Sequence, residues 1–254
     1  MSSKRVSLQP AFLLHQYAYR DSSRLLELLT RDHGRVGALA RGIRSPRSRL
    51  RGLLQPFQPL LVSWSGRGDL VTLVGAEAAN RLPPLDRRAL MSGFYASELI
   101  LRLLQRHDPH PGAFTAYGAL LQALGTRPEP EPALRMFELE LLQDLGYGLD
   151  PAVDADTGTV VDARGWYRFQ PEHGMVAARG RVGDPREVPG HTLLALARRE
   201  LVEPIDLRHA KRLLRQVLSI YLGERPLRTR GVWAAMQRGR EATPGRDMSE
   251  EADE

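Results

Sequence analysis

The sequence predicts an α+β chain: a small β domain over residues 1–82, an all-helical domain over 83–240, and a polar, acidic tail over 241–254. Short apolar runs separated by glycine-bearing turns fill the first eighty or so residues. After Arg81-Leu82-Pro83-Pro84 the apolar residues recur at helical spacing instead. Beyond Glu241 acidic and small polar residues leave nothing to bury.

Phe12 to Tyr19 is aromatic and apolar, and Asp21-Ser22-Ser23 supplies a turn. Leu25 to Thr30 follows, readable as a strand or as the start of a helix. Asp32-His33-Gly34 breaks it before Val36 to Ala40. Leu60 to Trp64 and Leu70 to Val74 flank Ser65-Gly66-Arg67-Gly68-Asp69, a glycine-rich turn. About five short strands in so little chain suit a closed or sandwiched β domain.

From Asp86, Leu90, Phe94, Leu99, Leu101, Leu103 and Leu104 mark a helix that His107-Asp108-Pro109-His110-Pro111 ends. A second helix runs from Phe114 to Leu124 and stops at Gly125. The stiff Pro128-Glu129-Pro130-Glu131-Pro132 link leads to a third, Ala133 to Leu145, stopped by Gly146. Residues 147–189 are rich in glycine and aspartate, an irregular insertion with a hairpin expected around Trp166-Tyr167-Arg168-Phe169. Helical pattern resumes over His191 to Leu201 and from Asp206 to Leu222, with Asp206 as N-cap and Gly223 as C-cap. A short helix is expected around Val232 to Met236. No repeat is visible.

The composition is that of a folded protein. No apolar run reaches bilayer-spanning length, and Met1-Ser2-Ser3-Lys4-Arg5-Val6 has no apolar signal core, so a cytoplasmic protein is expected. The absence of cysteine excludes disulfides, thiol catalysis and cysteine-held metal sites. A net charge of +6 favours a polyanionic partner. Lysine occurs only at Lys4 and Lys211, an arginine bias that GC-rich coding would produce without selection for function. The clustering is the stronger signal. Arg31, Arg35, Arg41, Arg44, Arg47, Arg49 and Arg51 are accompanied only by Asp32, and the run enters the loop Ile43-Arg44-Ser45-Pro46-Arg47-Ser48-Arg49. Guanidinium groups interleaved with hydroxyls suit backbone phosphates. A solvated surface is the plainer alternative, but like charges so close repel without a partner.

A second basic set contains Arg208, Lys211, Arg212, Arg215, Arg225, Arg228 and Arg230. Its first four members share a helical face opposite Leu213, Leu214, Val217, Leu218 and Tyr221. That is equally an ordinary amphipathic helix or a nucleic-acid or protein contact. Catalytic patterns are poor: there is no phosphate-binding glycine loop and no nucleophile elbow. Asp154-Ala155-Asp156-Thr157-Gly158 hints at a calcium loop, but Gly165 stands where the closing glutamate belongs, so a turn is expected. A metal-dependent nuclease using Asp154, Asp156 and Asp162 is one rival reading, and a basic adaptor protein without DNA activity is another. His107 and His110 read as a helix-ending loop. No enzyme, cofactor or metal is expected.

Taken in order, several stretches resemble the RecO family of bacterial DNA-repair proteins. They are His33-Gly34-Arg35-Val36-Gly37-Ala38-Leu39-Ala40-Arg41-Gly42-Ile43-Arg44; Leu53 to Leu61; Glu98 to Leu104; Leu134-Arg135-Met136-Phe137-Glu138 to Leu142; Leu145-Gly146-Tyr147-Gly148; Lys211 to Arg215; and Arg225 to Arg230. The match spans roughly residues 5 to 236. The resemblance implies an N-terminal OB-fold barrel and a helical domain, a protein that binds single- and double-stranded DNA, anneals strands coated with single-strand-binding protein, and with RecR promotes RecA loading without hydrolysing nucleotide. It implies DNA contacts at Arg35, Arg41, Arg44 and Arg47, to which the charge pattern adds Arg49, Arg51, Lys211, Arg212 and Arg215. It also implies a contact between Arg135 and the acidic tail of single-strand-binding protein, beside an apolar pocket; a plain surface residue is the alternative. Many relatives carry a four-cysteine zinc site between the helices. This chain has no cysteine, so residues 147–189 must hold by hairpin and packing or stay partly mobile.

Overall fold

The computed structural model describes residues 5–45, 47–147, 149–178, 184–232 and 235. Five strands, β1 (Arg5–Tyr19), β2 (Ser23–Thr30), β3 (Gly34–Ala40), β4 (Pro59–Ser65) and β5 (Leu70–Ala78), close a barrel in the order β1-β2-β3-β5-β4. The fold is OB-like, with an α+β chain overall. Leu25 to Leu29, ambiguous between helix and strand, is strand, because the β2 residues alternate between two cores. Leu26 and Leu28 enter the barrel interior with Leu13, Val36, Ala38, Val62 and Trp64. Leu29 points outward, into the core of the helical domain.

Three antiparallel pairings are hairpin-like neighbours, and β1 also pairs β4. Closure comes from a short parallel contact of β3 with β5, Gly37 to Leu70 through Leu39 to Thr72. The β1 register shifts between Leu13 and His15, so Leu14 is an inserted residue. The shift turns β1 from filling the barrel to presenting His15, Tyr17 and Tyr19 outward. A four-residue helix, α1 (Leu50–Leu53), leads from the loop after β3 to β4.

The helical domain contains α2 (Arg87–Leu103), α3 (Pro111–Thr126), α4 (Glu131–Asp144), α5 (Gly190–Ala197) and α6 (Pro204–Leu222). Asp86 caps α2, its side chain accepting from the Ala89 amide at 2.8 Å. Proline at the first turn of α3, α4 and α6 costs no helix bond there. The domain core extends into the barrel: the Phe12 ring of β1 packs on Phe114 and Tyr117 of α3, at 5.1 and 5.2 Å between centroids.

Two expectations are corrected. Asp206 is not the N-cap of α6; Glu203 is, and Asp206 lies buried in the first turn, accepting from the Thr192 hydroxyl and sitting 3.0 Å from His191. The second helix does not stop at Gly125 but runs to Thr126, with Gly125 packed closely against Pro83. Gly223 does follow α6, at φ 68°.

The segment expected to be irregular contains a sheet ordered β7-β6-β8, built from β6 (Trp166–Gln170), β7 (Gly174–Ala177) and β8 (Glu187–Pro189). The β6–β7 hairpin was legible; β8 was not. Tyr167, Phe169, Met175 and Val188 join the helical core, and the Tyr167 hydroxyl accepts the Asp162 amide at 2.8 Å. Packing and hydrogen bonds thus tie the described residues of this segment to the helical domain. A helical turn occupies residues 228–232, and residue 235 is helical too; residues 233, 234 and 236 of the expected helix, and the acidic tail, lie outside the described residues. Among the described residues no helix is long and apolar enough to cross a membrane.

Candidate nucleic-acid and partner interface

Strand β3 divides the basic run. Arg31 and Arg35 lie at its start, and Arg41 follows its end, roughly 20 Å away at the rise of a strand. Arg31 is paired with Asp32, which also accepts from Gln9 at 3.0 Å. Arg35 is turned into the junction with the helices: it donates to the Leu101 carbonyl and lies 3.6 Å from Glu27. Burial lowers its pKa, against the attraction of Glu27. Arg106 reaches the same carboxylate from after α2.

At the other end Arg41, Arg44, Arg47, Arg49 and Arg51 are all exposed. Hydrogen bonds nevertheless hold the described residues of this loop. The Arg44 amide donates to the Ser22 carbonyl at 3.1 Å, and its guanidinium to the Arg20 carbonyl at 3.2 Å. The Arg47 amide donates to the Ser45 hydroxyl at 3.4 Å. These bonds bring the β1–β2 turn alongside, adding Arg20 and Arg24 to the cluster, with Asp21 as the acid among them. A patch of exposed guanidinium groups on a barrel rim can neutralise successive phosphates.

Arg135 is not a surface residue. It is 3 % exposed, donating at 2.9 Å to Glu138, which is fully buried. Tyr95 donates to the same carboxylate oxygen at 2.7 Å. Burial holds the Glu138 carboxyl above its usual pKa despite Arg135 and Tyr95. Burial and the Glu138 charge likewise push the Tyr95 hydroxyl up. Among the described residues, two Arg135 nitrogens, Nε and Nη1, have no hydrogen-bond partner, nor does Glu138 Oε2.

Arg135 lines a cavity of about 570 Å³ between α2, α4 and α6. Arg88, Lys211, Arg215 and Arg230 line it too, with Met91, Leu134 and Tyr95 as its less polar wall. The cation count exceeds the acids Glu129 and Glu131. Lys211 donates to Glu131; burial alone would raise that carboxyl's pKa, but Lys211, Arg135 and Arg215 together lower it. Lys211 and Arg215 of the second basic set therefore converge with Arg135. Arg212 turns away and donates to the Glu187 carbonyl at 2.7 Å.

The aspartates of the rival nuclease reading are occupied locally. Asp154 accepts the Asp156 amide at 3.0 Å, Asp156 meets His173 at 2.9 Å, and Asp162 accepts the Arg164 amide at 3.0 Å. No cluster of three metal-ligating side chains occurs among the described residues.

The family model described as Recombination protein O N terminal matches residues 1–81, the barrel, and that described as Recombination protein O C terminal matches residues 84–231. The chain belongs to the RecO family. It is similar to the DNA repair protein RecO of Alkalilimnicola ehrlichii, 49% identical over 96% of this chain and 98% of that one. The DNA repair protein RecO of Nitrosococcus oceani is 46% identical over 92% of this chain and 95% of its own. That of Aromatoleum aromaticum is 44% identical over 93% and 99% respectively.

Sequence reasoning missed Tyr95, Arg88 and Met91 as lining of the RecO cavity, and Glu138 as the buried partner of Arg135 behind it. Only Glu138 had a signal, its i,i+3 spacing from Arg135. The others come from a helix forty residues earlier, and no local pattern marks them.

Proposed function

We propose that this chain is a recombination mediator in DNA repair, working in the cytoplasm at the nucleoid. It binds single- and double-stranded DNA, anneals complementary strands coated with single-strand-binding protein, and with RecR promotes RecA loading, without nucleotide hydrolysis. The observation that carries the reading is the cavity at Arg135. Its cations, its apolar wall and two buried, unpartnered Arg135 nitrogens suit a chain-terminal carboxylate followed inward by apolar residues, as in the acidic tail of single-strand-binding protein. Arg215 and Lys211 serve that tail. Arg41, Arg44, Arg47, Arg49 and Arg51 take DNA phosphates, Arg35 supports their strand from the junction, and Arg212 borders a second, weaker DNA contact.

The test is annealing of complementary oligonucleotides, each precoated with cognate single-strand-binding protein, without ATP. Wild type accelerates pairing. Arg215→Ala, an exposed change, slows annealing of coated strands while leaving affinity for bare DNA intact. Arg44→Ala with Arg47→Ala weakens bare single-strand binding and reduces the slope of log affinity against log salt by about 1.4, at about 0.7 per lost phosphate contact. Coated strands that wild type does not anneal, with coating verified, would refute the mediator role.

A further inference from the structure

The barrel also carries an aromatic surface that the arginines do not explain. After the inserted Leu14, β1 alternates so that His15, Tyr17 and Tyr19 share the outward face. Tyr17 pairs across to Leu25 of β2, and Leu25 to Leu39 of β3, forming a row of one aromatic and two apolar side chains. Tyr17 is 51 % exposed. The His15 ring meets it edge to face, 4.4 Å between centroids, which fixes its tilt. One residue further out, the Arg20 guanidinium lies 5.2 Å from the Tyr19 ring.

The exposed rim arginines, Arg41 and Arg44 among them, stand beyond the Tyr19 end of this face. Toward its other end Glu27 is engaged by Arg35 and Arg106, so the carboxylate on the face is neutralised. The face is therefore an exposed ring beside exposed cations, which matches a base whose phosphates continue onto the rim. An acidic protein would find charges there but little reason for a fixed, half-exposed ring.

We propose that Tyr17, steadied by His15, is a stacking platform for an unpaired base and sets a preference for single-stranded over double-stranded DNA. The inference rests on the DNA-binding reading above. Rim arginines meet phosphates in either form of DNA. Duplex bases already stack on their neighbours and offer no free face, so the ring adds affinity only to single strands.

Fluorescence anisotropy with a labelled thymidine oligonucleotide, a duplex of equal length, and an abasic strand with the same phosphates tests this. Tyr17→Ala weakens binding to the single strand by roughly 5- to 150-fold, the range base–aromatic stacking supports. It leaves duplex and abasic affinities and the salt slope unchanged. Tyr17→Phe, which keeps the ring, retains single-strand affinity, and unchanged melting of both variants checks the fold. Equal losses on single strand and duplex, or no loss on the single strand, would overturn the platform alone. If wild type binds neither DNA at moderate salt, the DNA-binding reading falls and the platform with it.

Discussion

Arg135 is the residue an alanine scan would choose first, and it would mislead. The guanidinium is 3 % exposed and its partner Glu138 is fully buried, so Arg135→Met leaves a carboxyl in the core with only the Tyr95 hydroxyl as partner. Breaking a buried pair on one side costs about 3–5 kcal/mol. At about 2–4 °C per kcal/mol for a chain of this size, the melting temperature falls by roughly 6–20 °C. The loss has a pH signature. Burial already raises the Glu138 pKa above 4.5, so the folded state holds that proton more tightly than the unfolded chain. Such a group stabilises most at low pH, and its contribution declines as pH rises from the unfolded value through the folded one, then stays level. Without Arg135 the folded pKa climbs further, so the gap between variant and wild type widens as pH rises from 5 to 8. Calorimetry at both pH values measures it. Arg135→Met with Glu138→Leu and Tyr95→Phe removes the stranded polar groups and recovers stability to within about 1 kcal/mol. That repaired variant still fails to bind a peptide of the single-strand-binding protein tail. An Arg135→Met protein as stable as wild type at pH 8, or one hurt more at pH 5, would refute the account of this pair.

The junction between barrel and helices supplies two further tests. Glu27→Gln keeps the side-chain shape but removes the charge that offsets Arg35 and Arg106, and urea unfolding should show a loss of about 2 kcal/mol, discounted because Arg106 is partly exposed. Gly34 has φ 64° and its Cα faces the Asp108 backbone, where a Cβ would overlap the carbonyl oxygen. Gly34→Ala should cost about 2–4 kcal/mol, whereas Gly42→Ala, with φ 66° but open space around it, should cost only about 1 kcal/mol. Equal costs in paired melts would show that backbone strain, not the approach of Asp108, dominates at Gly34.

What was legible in the sequence was what repeats locally. The helical spacing of α2 announces an element and its buried face, and the glycine turn between β4 and β5 announces a hairpin, whereas Leu25 to Leu29, apolar at four of five positions, leaves β2 open between strand and helix. Closure of the barrel was not announced, since it depends on three residues of β3 meeting β5 across thirty residues of chain. Asp206 illustrates a local rule losing to tertiary structure: a good N-cap residue at a helix start is used instead to hold Thr192 and His191 of α5. The site shows the same limit more sharply. Seven arginines close in sequence look like one surface, yet β3 carries them to opposite ends of the barrel and spends Arg35 on the domain junction. Conversely, Arg135, Lys211 and Arg215, which sequence divided between a protein contact and a DNA contact, line one cavity. Linear charge density therefore reports that a chain meets polyanions, while the partition of its cations between phosphates and a partner's carboxylates is decided by which of them share a wall. Under the mediator reading proposed above, that partition makes a prediction of its own kind: a tail peptide in the cavity and a strand on the rim would use separate surfaces, so binding of one should leave affinity for the other unchanged.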